Sequence, residues 1–462
     1  MKKVNDFEIV NGVLTKYNGP GGFVVIPYDV TSIGRGAFFG CNNLTGVIML
    51  DSVMFIDNSA FSGCTNLTSI DMSESLTFIG EGAFKGCTNL TSINIPDSVT
   101  HIGDYAFLRC EGLQDENGFV IVHDILFDYF GDDENITIPY GVKTISGSAF
   151  SECTNLASVN IPDCVISIND DAFYGCRNLT SINIPDSVTL IGDRAFYECE
   201  GLQDENGFVI VHDILFDYFG DDENITIPYG VKTISGFAFN ECSNITSISI
   251  PDGVTSIYDQ AFSGCSNLTS INIPDSVTSI AGGEGIFYEC DSLNNKNDFF
   301  IVDDILFHYC GEDEDVTIPY GIRIICDCAF RCRNLTSINI PESVISIGDG
   351  AFEDCEGLQD ENGFVIVRDI LFSYYGDDES VTIPYGVKTI SSFAFSGYDG
   401  CDNLVNVNIP DSVTSIGSYA FSGCSNLTSI NIPDSVTSIS ENAFVDTKIN
   451  PSSVYCRVTP QK

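Results

Sequence analysis

Apolar positions recur along the chain in one short formula. A representative stretch, Leu90 to Cys110, reads LxxIxIPxxVxxIxxxAFxxC, with serine, threonine, asparagine and aspartate filling the intervals. The alternation Leu90, Ile93, Ile95 predicts a short strand with inward side chains, and Pro96 ends it because proline cannot donate to a ladder. Thirteen of the sixteen prolines occupy this one place. Val99 and Ile102 predict a second extended piece, and Gly103–Cys110 a helical or 3₁₀ turn that buries Ala106 and Phe107.

The Ala-Phe pair sets the period. It appears fourteen times, from Ala37-Phe38 to Ala443-Phe444, with Ile286-Phe287 as a fifteenth variant. Most spacings are 23 residues, and four are 43, which is one period plus a 20-residue island. A repeat of this length cannot bury its apolar face alone, so stacking of successive turns is required and a solenoid is predicted. The expected fold is a curved, β-rich leucine-rich-repeat solenoid of fifteen turns of 23 residues with inserted β-hairpin islands. Residues 1–23 are expected to form an N-terminal capping hairpin, 24–446 the solenoid, and 447–462 a C-terminal cap or tail.

The islands lie near 114–133, 203–222, 294–313 and 359–378, and Phe7–Gly19 has the same character around an Asn-Gly pair. The block Cys110–Gly147 recurs without change as Cys199–Gly236, which marks an internal duplication. Each island concentrates aromatic residues, among them Phe119, Phe127, Tyr129 and Phe130 with their equivalents Phe208, Phe216, Tyr218 and Phe219, beside acidic tips such as Asp132-Asp133-Glu134. Two readings stand side by side: the rings pack the hairpin onto the solenoid flank, or Phe127, Tyr129, Phe130, Phe216, Tyr218 and Phe219 anchor a protein partner. The predicted concave strands place Ser/Asn pairs outward, including Ser92/Asn94, Ser181/Asn183 and Ser270/Asn272. Asn94, Asn183 and Asn272 therefore either build hydrogen-bonded ladders or meet a repetitive ligand such as a glycan or fibrous protein.

The pattern LxxIxIPxxVxxIgxxAFxxCxxL resembles the BspA-like, or Treponema pallidum-type, leucine-rich repeat proteins, over nearly the whole chain. The opening Asn11–Gly22 also looks like the N-terminal module of such proteins in anaerobic, gut-associated bacteria. The resemblance implies a non-enzymatic cell-surface or secreted protein that binds host matrix proteins, glycans or other cells. Against surface display, Met1–Glu8 carries no export signal and the C-terminus no LPxTG-like anchor, so an intracellular scaffold is the alternative expectation.

Charge narrows the partners further. Sixty-five acidic residues against nineteen lysines and arginines give the 462-residue chain a net charge of −46. Such a surface repels phosphate backbones and anionic lipid heads, so no nucleic acid partner and no membrane insertion is expected. Fourteen of the nineteen cysteines follow the Ala-Phe pair at one place and predict an inward column of buried thiols. Cys326, Cys328 and Cys332 have loosely metal-like spacing without a fourth ligand, and the acidic tips lack an EF-hand pattern, so neither metal nor cofactor is expected. The four histidines accompany no Gly-x-Ser-x-Gly, Walker A or His-Glu-x-x-His motif, and catalysis is not expected.

Overall fold

A computed structural model describes residues 6–449 apart from 281–282, 294–297, 310, 397–400, 402, 441 and 446. Part of the island near 294–313, Cys310, Cys456 and most of the expected C-terminal tail lie outside the described residues. The chain divides into two compact units, Met1–Gly220 and Asp221–Lys462, each a β-solenoid.

In the first unit the hairpin Phe7–Val10/Val13–Tyr17 heads a row of two-residue parallel strands, Ser32–Ile33, Phe55–Ile56, Phe78–Ile79 and His101–Ile102. A second row runs through Gly22–Val25, Leu44–Ile48 and Ser69–Asp71. Ser92–Asn94, expected as the next strand, forms none. Beyond it the hairpin Phe119–Val122/Ile125–Tyr129 opens a fresh row with Thr144–Ile145, Ser167–Ile168 and Leu190–Ile191, beside a second row of Asn135–Thr137, Ser158–Asn160 and Ser181–Asn183. The second unit repeats the plan, with hairpins Phe299–Val302/Ile305–Tyr309 and Phe364–Val367/Ile370–Tyr374.

Two expectations change. Of the helical or 3₁₀ turn expected at Gly103–Cys110, the three-residue closures of 3₁₀-type turns are present but no continuous helix forms: Ala106 N–H donates to Gly103 O, Leu108 to Tyr105 and Cys110 to Phe107. Tyr105 and Arg109 both take φ of 58°, a left-handed conformation that interrupts any helical run. The islands, moreover, are turns of the stack and not additions to its flank. Ile125 and Leu126 pair in parallel with Thr144 and Ile145, in the place an ordinary two-residue strand would occupy. The solenoid makes about 18 turns, against fifteen read from Ala-Phe alone.

The core is a column of rings. Tyr17, Phe38, Phe61, Phe84 and Phe107 stack with centroids 4.9, 4.8, 5.3 and 5.2 Å apart. Alanine before each phenylalanine is equally buried, and its carbonyl accepts the N–H of the phenylalanine one turn earlier, as in Phe84 N–H to Ala106 O at 2.8 Å. A larger side chain there would hold the turns apart. The thiols line a parallel column, each donating to the carbonyl of a phenylalanine in the preceding turn: Cys64 to Phe38, Cys87 to Phe61, Cys110 to Phe84 and Cys176 to Phe150, at 3.1 to 3.3 Å. Among the described residues no cysteine forms a disulfide.

Candidate binding surface

The hairpins decide which aromatics a partner can reach. Phe119–Val122 and Ile125–Tyr129 lie between two turns and almost all of their side chains are buried, and a β-bulge at Phe127, opposite the register shift between Val120 and Ile121, lets Phe127 and Tyr129 face opposite neighbours. Phe127 points back and meets Phe107 edge-on at 5.2 Å, whereas Tyr129 points forward and meets Phe150 at 5.4 Å. The island thus closes one stack of rings and begins the next. The same holds for Phe216 against Phe196 at 5.3 Å, while Tyr218 packs on Phe208 at 4.9 Å. As partner anchors, Phe127, Tyr129, Phe216 and Tyr218 are corrected: burial leaves them no surface to offer, and they belong to the core. Phe130 and Phe219, the next residues along, are each 38% exposed. Phe130 lines a shallow cavity of about 280 Å³ with Asp132, Asp133, Glu152 and Thr154.

Asp128 and Asp217 sit among these rings with their carboxylates buried. Asp128 accepts the N–H of Arg109 at 2.7 Å and of Tyr129 at 2.9 Å; Asp217 accepts those of Glu198 at 2.9 Å and Tyr218 at 2.8 Å. The amides that they hold at Arg109 and Glu198 belong to residues with left-handed φ. Burial pushes Asp217 up to about 6, against the pull of its two backbone donors, and raises Asp128 for the same reason. The folded chain therefore holds these protons more tightly than the unfolded chain. Stability from Asp217 rises as pH falls through about 6 and is complete near pH 4, by at most about 3 kcal/mol. The double variant Asp128→Asn/Asp217→Asn keeps an acceptor oxygen at each place and is expected to flatten the pH dependence of urea-unfolding free energy between pH 7 and 5; an unchanged slope would assign that dependence to surface charge.

The outward polar rows divide into engaged and open positions. The Asn-x-Thr segments, which read as glycosylation sequons, are the true ladder: Asn66, Asn89, Asn178 and Asn267 donate to a carbonyl 24 residues earlier at 2.6 to 2.8 Å. Thr68, Thr180 and Thr269 donate likewise 23 residues back. Their recurrence at a fixed offset from Leu was the available signal. Side chains of the Ser/Asn columns bond across turns at some places, Ser158 to Asn135 at 2.6 Å and Asn431 to Asn408 at 3.1 Å. Asn272 bonds the backbone of Ile250 at both its amide atoms, and Asn94, Asn183 and Asn272 are all exposed. Asn94 and Asn183 thus present their amides to solvent, whereas the Asn272 amide is engaged by the neighbouring turn.

The thiols are chemically quiet. Burial pushes Cys64, Cys110, Cys199 and Cys355 up to about 12, so at neutral pH they are protonated donors and not nucleophiles. Among the described residues no helix is long and apolar enough to cross a membrane.

Sequence comparison matches the family model for the BspA type leucine-rich repeat region at residues 21–119, 120–206, 209–300, 300–398 and 365–459. The chain belongs to the BspA-type leucine-rich repeat family. Solved structures similar to it include a leucine-rich cell surface protein from Faecalibacterium prausnitzii, at 27% identity over 91% of this chain and 89% of that one, with a TM-score of 0.28. A leucine-rich repeat protein from T. pallidum shares 33% identity over 42% of this chain and 83% of its own, with a TM-score of 0.28. One from Bacteroides ovatus shares 25% over 75% and 88%, with a TM-score of 0.27. No curated protein matches. BspA-type repeats are in general protein-interaction modules.

Proposed function

We propose that this BspA-type chain is a non-enzymatic binding protein of the cell surface or of the secreted fraction, taking host matrix proteins, glycans or the surface of another cell as its ligand. The observation that carries this reading is the exposed polar row on the three-residue strands. Ser69/Asp71 and Ser181/Asn183 in the first unit, and Ser270/Asn272, Ser337/Asn339 and Ser429/Asn431 in the second, present small polar side chains at intervals along each unit, with Asn224/Thr226, Ser247/Ser249 and Ser380/Thr382 among the turns between. A repeated, rigid row suits a ligand that is itself repetitive, because many weak contacts then add without new ordering cost. In the proposed organisation the hairpin Phe7–Val10/Val13–Tyr17 caps the first turns, since it covers the edge that Ser32–Ile33 would otherwise expose.

The cysteines described without disulfides favour a second reading, an intracellular scaffold, because reducing compartments keep thiols reduced. Burial and the raised thiol pKa protect the column in either place, which weakens that argument. Protease treatment of intact source cells separates the two. Release of island peptides without lysis is the expected result, followed by saturable binding of the full chain to immobilised host matrix proteins or glycans. Recovery of those peptides only after lysis would overturn surface display.

A further inference from the structure

Five tyrosines stand almost wholly clear of the folded chain: Tyr28 at 82% exposure, Tyr140 at 88%, Tyr229 at 91%, Tyr320 at 92% and Tyr385 at 86%. Each follows an Ile-Pro pair in the first such turn after a hairpin. Elsewhere the same place is Asp or Glu, as in Ile95-Pro96-Asp97-Ser98-Val99. At four of the five, the residue after tyrosine is glycine with φ of 103° to 108°, at Gly141, Gly230, Gly321 and Gly386, and the bend is closed by Val142 N–H to Pro139 O and its equivalents. Positive φ at the third residue defines a type II turn, which glycine alone enters without strain. A Cβ at any of these glycines would meet nothing within 4 Å, so glycine serves the backbone conformation and not a close approach. Tyr28, followed by Asp29, keeps its exposure without that device.

A phenol ring left in water contributes nothing to folding. Copying explains Tyr140 and Tyr229, which share the duplicated block, and Tyr385, whose segment Cys355–Ser391 is a near copy of it, but Tyr320 follows an island that has diverged widely and still keeps the tyrosine.

Along each unit the tyrosine is followed, one turn on and at the same edge, by an exposed acid. In the first unit the order is Tyr28, Asp51, Glu74, Asp97 and then Tyr140, Asp163, Asp186. In the second it is Tyr229, Asp252, Asp275, then Tyr320, Glu342, then Tyr385, Asp411, Asp434. Hydrogen bonds between neighbouring turns show that these positions adjoin: Gly141 N–H reaches Cys164 Sγ at 3.3 Å and Gly386 N–H reaches Ser412 Oγ at 3.1 Å. Strand spacing sets successive positions about 5 Å apart. No lysine or arginine occupies the column. The cations three residues beyond the tyrosines, Lys143, Arg323 and Lys388, are held by hairpin-tip carboxylates Asp124, Asp304 and Asp369 at 2.8, 2.9 and 2.6 Å.

From this edge we infer that the tyrosine and carboxylate column of each unit is a docking rim for an extended, lysine- or arginine-rich segment of a protein partner. The inference rests on the binding reading above and deepens it. Charge complementarity selects the occupant: carboxylates in register repel one another and attract ammonium or guanidinium groups, while tyrosine faces take the methylene stems and cation–π contacts. A chain bound along the column brings its cationic side chains against the row of carboxylates.

The test uses the full chain and a fluorescent peptide of alternating lysine and glycine, titrated at about 0.15 M salt. Combined Tyr→Ala replacement at 28, 140, 229, 320 and 385 leaves the net charge of −46 unchanged and is expected to weaken binding about tenfold or more, whereas combined Tyr→Phe replacement changes it less than about threefold. Equal affinity of the Ala variant and the parent would show charge alone at work and overturn the assignment, as would no binding by the parent. Tyrosine-dependent capture of a neutral β-glucan oligosaccharide in place of the peptide would overturn it in favour of a carbohydrate. Failure here alongside matrix binding by the parent leaves the proposed function standing, while loss of matrix binding as well removes both.

Discussion

Phe173→Ala is expected to cost about 3–5 kcal/mol, among the largest effects of any single side-chain truncation in the first unit. The ring is fully buried between Phe150 at 4.9 Å and Phe196 at 5.2 Å, nearly parallel to both at 1° and 5°. Its removal opens a cavity in the middle of a stack whose members touch only the turns before and after. The backbone at this residue also bridges turns, its N–H donating to Ala195 O and its carbonyl receiving the thiol of Cys199 at 3.1 Å, so the surrounding chain is tied and collapses poorly onto the void. Nearest-neighbour coupling in repeat proteins carries the damage outward. Urea unfolding followed by circular dichroism measures the loss, and faster tryptic cleavage at Arg177 and Arg194, in the adjoining turns, locates it. Phe173→Leu, which keeps most of the volume, is expected to lose about half as much. A loss below about 1 kcal/mol for the alanine variant would mean that the ring column is not what holds the turns together.

The columns were legible because they follow from chemistry at a fixed offset: phenylalanine for volume, alanine for close approach, cysteine for a small buried donor. Proline at the strand end and the turn that follows were legible for the same reason. The position of the islands was not. Phe-Val-Ile-Val is an unbroken apolar run and Ile-Leu-Phe-Asp-Tyr is one but for its aspartate, and such a run signals burial on both faces. A hairpin packed on a flank would alternate; one set between two turns would not. The buried Asp128 and Asp217 hid for a related reason, because an aspartate inside an apolar run looks like a break until its carboxylate is seen to hold the left-handed amides of Arg109 and Glu198. The open surface was legible only in part. Asn94, Asn183 and Asn272 are exposed as the period suggests, but the protruding tyrosines depended on a paired change, Asp-Ser to Tyr-Gly, whose meaning lies in turn type and not in hydrophobic period.

Excision of a whole island should be tolerated, and excision of half of one should not. Removing 114–133 joins Leu113 to Glu134 and yields Cys110-Glu-Gly-Leu-Glu-Asn-Ile-Thr-Ile-Pro139, which has the same apolar spacing as Cys87-Thr-Asn-Leu-Thr-Ser-Ile-Asn-Ile-Pro96. The 43-residue interval from Ala106 to Ala149 returns to 23, Phe107 comes into register with Phe150, and His101–Ile102 can pair directly with Thr144–Ile145. The lost burial of Phe119, Phe127 and Tyr129 is offset by one restored ring stack and by twenty fewer residues to order. Removing 114–123 instead deletes Phe119–Val122, strips Ile125–Tyr129 of its antiparallel partner, and leaves an interval of 33, which matches neither kind of turn. Side chains that face two neighbours then meet none on one side, and the stack is cut where its two cores should join. Thermal unfolding of the whole-island variant is expected to remain cooperative, with a midpoint within a few degrees of the parent, while the half-island variant shows early loss of the first unit to protease. If both behave alike, the islands are appendages after all; only their place as turns of the stack makes twenty residues dispensable and ten indispensable.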